Sequence, residues 1–219
     1  PPGPEPAGAF VNCLPDDPLA QRLRKMGCPA VRVGRLPHPQ DALLPAVLPD
    51  MAATGRLAAD HFNERGFKQV GLVGFAPLNP DANFYPAFRA FRERSSELGI
   101  ACHVHRLEPT TKERELDRYE RRTREVGHWL ADLPKPMGVL TFNDYEAARI
   151  CTMCQTVGLV VPEQVALLGY GDSELVCELS PVALSSIDPD MEELGRQAAH
   201  LLRRLMNGEA APPGPIMVP

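Results

Sequence analysis

The chain has 219 residues, 44% of them hydrophobic and 23% charged, the make-up of a globular protein with one large domain or two small ones. A net charge of -5 argues against this chain holding nucleic acid by itself, which calls for a basic surface. No apolar run approaches the roughly 18 residues of a membrane span, and no basic stretch leads into an apolar one, so neither a span nor a signal peptide is expected.

Residues 1–8 are proline-rich and suit neither helix nor central strand. Ala9 to Leu14 is a short apolar run, expected as a strand. Asp16 or Asp17 can cap a helix from Pro18 to Met26, and Gly27 stops it. Ala30 to Gly34 is a second strand, which completes a βαβ unit. Residues 35–49 have no period and are expected as a loop with at most a short strand near Val47. Asp50 precedes a helix, Met51–Arg65, with Ala52, Leu57, Ala58 and Phe62 in its apolar positions. Gln69 to Gly74 is a strand, and Asn83 to Leu98 is a helix stopped by Gly99. Ile100 to Leu107 alternates, with Ile100, Cys102 and Val104 on one face and His103 and His105 on the other, the latter expected to be solvated. Lys112 to Glu125 reads as the charged lead-in to a helix that becomes amphipathic at Val126, Trp129 and Leu130. Met137–Phe142, Val165–Gly169 and Ala183–Ile187 are strands, and Tyr145–Val157 is the helix between the first two. Asp190 caps a last helix, Met191–Met206, and Pro215 to Val218 is an edge strand. Strands alternating with helices predict an α/β fold, a parallel sheet with helices on both faces.

In such sheets ligands gather at the carboxyl ends of the strands. Asn143, Asp144, Tyr170, Asp172, Ser173 and the surroundings of Asp188 occupy those places. Asp144 can cap the helix from Tyr145, or its carboxylate can accept two hydrogen bonds from neighbouring hydroxyls of a sugar-like ligand. Asp50 has the same pair of duties open to it. Asn143 adds a donor and an acceptor. This mixture suits a neutral polyol better than an anion. Cys151-Thr-Met-Cys154 lies inside a helical pattern without a second ligand pair, so both cysteines are expected in the core. His103 and His105 lack a third metal ligand. Nucleophile-elbow, complete dinucleotide, phosphate-loop and zinc-protease patterns are all missing, so neither catalysis nor a cofactor is expected.

Several runs resemble the effector domain of LacI/GalR-type regulators, a periplasmic-binding-protein-like module. They are Gly55 to Gly66, Val70 to Gly74, Val139 to Ile150, Val161 to Tyr170, Leu184 to Ile187 and Glu193 to Leu205. From Trp129 onward the resemblance narrows to the XylR-type, xylose-responsive activators, through Trp129–Gly138, Glu174–Ser180 and Val182–Ser186. It implies two α/β lobes, a sugar between them, a homodimer, a cytoplasmic location and no enzyme activity. The lobes would be 1–67 plus 189–208, incomplete at its start, and 68–188 plus 209–219. Operator DNA would be held by a module outside this chain. The implied ligand residues are Asp50, Asn143, Asp144 and Asp172, for a pentose-like sugar. The family pattern has an arginine near the position of Phe84 and an aspartate at that of Gly171, which implies a cleft altered or weakened for pentose. A transport-type sugar-binding protein is the alternative with the same architecture.

Overall fold

The computed structural model describes residues 7–12, 18–34, 44–74, 85–106 and 115–219. The expected caps Asp16 and Asp17, and Phe84, lie outside them. The chain divides into two units, Pro1–Met51 with Asp190–Pro219, and Ala52–Pro189.

In the first unit, β1 (Ala9–Val11), β2 (Ala30–Val33), β3 (Ala46–Pro49) and β9 (Ile216–Val218) form a parallel four-stranded sheet in that order. α1 (Pro18–Lys25) turns Leu23 and Ala20 onto Val11 and Ala30. α7 (Met191–Met206) packs Leu194, Ala198, Leu201 and Leu202 on Val31, Val47 and Val218. That i, i+4, i+7 spacing is the apolar stripe of a surface helix. Ala30 and Val31 belong to different clusters, as adjacent strand residues on opposite faces must. Asp190 caps α7 as expected, accepting the Glu193 N–H at 2.9 Å.

In the second unit, β4 (Gln69–Gly74), β5 (Ala101–Arg106), β6 (Met137–Leu140), β7 (Val165–Tyr170) and β8 (Ser185–Ile187) form a parallel sheet ordered β5-β4-β6-β7-β8. α2 (Met51–Glu64) and α3 (Tyr85–Glu97) place Ala58, Phe62 and Phe91 with Val70, Leu72, Leu140 and Leu168. α4 (Glu115–Asp132) and α5 (Asp144–Thr156) place Val126, Leu130, Ile150 and Cys154 with Val73, Met137, Val139, Val165 and Leu167. Residues 137, 139, 165 and 167 thus face one helical layer, and 140 and 168 the other, the period of two that defines strands. Gly138 makes room for the Phe62 ring, since a Cβ there would stand 2.3 Å from it.

Several expectations need correction. The lobe boundaries expected at 67 and 209 both move. Residues 52–64 belong with the second unit because α2 buries Phe62 against its sheet, and 209–219 belong with the first because β9 pairs with β3. Leu57 is exposed; the inner face of α2 runs through Thr54, Ala58 and Phe62. The charged lead-in is already helical from Glu115. A short helix, α6 (Glu174–Leu179), had not been expected; none of its residues is buried. His105 is not solvated: its ring lies 5.0 Å from that of Trp129, and burial holds its pKa below the usual imidazole range. His103 shares a hydrogen bond with Gln69 at 2.8 Å. Cys151 and Cys154 sit fully buried in the core as expected, and burial pushes the Cys154 thiol up to about 12.

Candidate functional site

The strand ends of the second unit bring three of the expected residues together. β6 runs into Thr141, whose hydroxyl lies 2.9 Å from the Asn143 carbonyl and 3.2 Å from that of Leu168. That brace ties the end of β6 to β7. Asn143 takes extended backbone angles and caps α5, its Oδ1 accepting the Glu146 N–H at 2.9 Å. The helix therefore begins at Asp144, and the capping duty considered for Asp144 belongs to Asn143. The Asn143 side chain keeps its amide N–H donors for other use.

Asp144 is only 1% exposed. Its Oδ2 accepts the Ser173 N–H at 2.8 Å, and its Oδ1 accepts the Ser186 hydroxyl at 2.6 Å. Ser186 Oγ in turn accepts the Asp172 N–H at 3.0 Å. One carboxylate thus joins α5, the turn after β7, and β8. The backbone around it is shaped to fit. A Cβ on Gly169 would lie 2.1 Å from Asp144 Oδ1. Gly171 adopts φ +123°, which side-chain-bearing residues rarely reach, and donates its N–H to the Ile187 carbonyl at 3.0 Å. Asp172 follows in the left-handed region at φ 48° and is exposed. Burial, and then the nearby Asp144 and Asp172, raise the Cys177 thiol. Burial and then Asp188 raise the Tyr170 hydroxyl.

Asp50 belongs to the first unit, where it is half-buried after β3 and gives its backbone N–H to the Val218 carbonyl at 2.6 Å. Ser173 stood among the strand-end candidates, but sequence reasoning missed the parts played by Ser186 and Gly169. A glycine closing a buried strand was the available signal for Gly169; nothing local marked Ser186. The Ser186 hydroxyl thus donates to a carboxylate and accepts from an amide. Among the described residues no group of three His, Cys, Asp or Glu is placed to hold a metal ion, and no helix is long and apolar enough to cross a membrane.

Comparison with known proteins agrees with the resemblance read from the sequence. Residues 59–219 match the family model described as a periplasmic binding protein-like domain. The xylose operon regulatory protein of Escherichia coli (strain K12) is 28% identical over 206 residues, covering 93% of this chain and 52% of that protein. Its counterpart in Haemophilus influenzae (strain ATCC 51907 / DSM 11121 / KW20 / Rd) is 26% identical over 208 residues, covering 93% of this chain and 52% of that one. The chain therefore spans about half the length of these curated relatives. Among solved structures, that of a xylose-binding transcription activator superposes with a TM-score of 0.81 at 27% identity, covering 97% of this chain and 55% of the other. A LacI family transcriptional regulator from Bifidobacterium animalis subsp. lactis DSM 10140 shares the fold, with a TM-score of 0.71 at 22% identity over 96% of this chain and 73% of the other. The chain belongs to the periplasmic binding protein-like family, with the effector-domain fold of LacI-type regulators.

Proposed function

We propose that this chain is the ligand-sensing, dimerising effector domain of a sugar-responsive transcription regulator, with a pentose-like sugar as effector. One observation carries the reading: over 97% of its length the chain is similar, at 27% identity, to a xylose-binding transcription activator. The strand-end chemistry supports it. Asn143 offers amide donors and Asp172 an exposed carboxylate, groups that suit sugar hydroxyls. Asp50 at the end of β3 is a further ligand residue in this proposal. Sugar binding acts by favouring one conformational state over another. Operator DNA is held through a separate module, in keeping with the net charge of -5. The protein works in the cytoplasm as a homodimer and is not an enzyme.

A transport-type sugar-binding protein shares this architecture, but the curated relatives quoted above are regulators of an operon. Isothermal calorimetry against a panel of pentoses and hexoses tests the proposal. One of them is expected to bind, with D-xylose weakened by the glycine at 171. Failure of every sugar in the panel would overturn the reading.

A further inference from the structure

We propose that Asp144 is a positioning residue: its buried carboxylate clamps the Gly171–Ser173 turn and β8 onto the start of α5, and thereby fixes how Asp172 is presented to a sugar. This deepens the sugar-site reading and rests on it for the ligand. The geometry of the clamp does not depend on that reading.

Three observations converge on the clamp. Asp144 has no local duty, because Asn143 already caps α5. At 1% exposure, with one oxygen on Ser173 N–H and the other on the Ser186 hydroxyl, it has little face to offer a ligand. Its partners lie 29 and 42 residues away in sequence, so it joins segments that no local interaction would hold together. The turn it grips needs such a grip. Gly171 reaches φ +123° freely as a glycine, but Asp172 at φ 48° bears a side chain in the sparsely populated left-handed region, which persists where surrounding contacts over-determine it. Ser186 extends the clamp by one bond, passing the carboxylate's hold to the Asp172 amide. Gly169 completes it, because any side chain there would push Oδ1 off its partner.

The test uses the full-length protein, without sugar and then with D-xylose. Asp144→Asn retains size but replaces one acceptor oxygen by a donor. Amide hydrogen exchange at Asp172 and Ser173 is expected to quicken by about tenfold or more, while Val139 and Leu167 in the strand cores stay within about twofold of wild type. Ser186→Ala should quicken Asp172 similarly, and Ser186→Thr, which restores the hydroxyl, should recover its protection. D-xylose affinity should fall in Asp144→Asn and in Ser186→Ala, and the double variant should lose little more than either alone. Unchanged exchange at Asp172 and Ser173 in Asp144→Asn, beside lost affinity, overturns the clamp and makes Asp144 a direct sugar contact. Should the wild type bind neither D-xylose nor any other sugar of the panel, the functional reading fails, and the exchange pattern alone still upholds or overturns the clamp.

Discussion

Asp50 and Asp144 stand in the same sequence setting, an aspartate between a buried strand and a helix, yet the structure gives them different surroundings. At Asp50 the backbone makes a hydrogen bond across the strand end: its N–H meets the Val218 carbonyl, and the residue is half-buried. At Asp144 it is made by the side chain, which is buried and bonded to two distant segments. The difference comes from what the neighbouring strand presents. Beside β3, β9 ends in register, with Pro49 opposite Val218, so a carbonyl is at hand. Beside β6, β7 presents Gly169 and then the Gly171 turn, which leaves room for a carboxylate and turns amides toward it. An acidic residue at a strand end is therefore a ligand candidate only after its neighbours have been consulted.

The largest expected effect is on stability. Asp144→Ala leaves a part-buried N–H and hydroxyl without their acceptor, at about 1–3 kcal/mol together, so urea unfolding should register a loss of about 2–3 kcal/mol with an unchanged slope. Asp50→Ala, at a half-buried helix entry, should cost less, within the roughly 0.5–2 kcal/mol of a helix-capping position; equal losses would erase the contrast. Next comes Gly169→Ala, expected to cost about 2 kcal/mol by overpacking against Asp144 Oδ1. Combined with Asp144→Ala it should cost less than the sum, since the collision with Oδ1 is gone and only the closer approach to the residue 144 Cα, 3.2 Å, remains. Smallest is Glu146→Gln. Burial raises the Glu146 carboxyl above its ordinary range, although Arg149 at 2.8 Å pulls it back. The folded state then holds this proton more tightly than the unfolded state does. Its contribution favours folding below the ordinary value of 4.5 and is lost as pH rises through the raised one. Glu146→Gln should flatten that slope in pH-dependent melts, by about 1 kcal/mol or less.

The alternation of strands and helices was legible because each buried strand carries its own apolar run and each helix its own stop. Gly27, Gly66, Gly99, Gly158 and Gly208 all take positive φ just past a helix. What failed was non-local or ambiguous by one residue. Asn143 and Asp144 are both good caps, and sequence alone could not rank them. Ser186 is a short polar residue in a three-residue strand, and its meaning lies in a carboxylate 42 residues earlier. α6 buries nothing, so it had no periodicity to announce it. β9 joined the wrong lobe because strand partners in a parallel sheet are chosen by packing and not by proximity in the chain. The two duties the sequence offers Asp144, cap or ligand, leave out the clamp for the same reason: its partners lie far along the chain.

The pairing of β9 with β3 also governs how the protein keeps to itself. β3 is fully buried, with Val47 and Leu48 at 0% exposure, and all four of its residues are apolar. Three residues, Ile216 to Val218, occupy its outer ladder. A chain cut before Ile216 would leave that ladder bare, and a bare apolar edge is a template for strands from other molecules. Trimming the short β9 should therefore cost solubility, read as aggregation in light scattering.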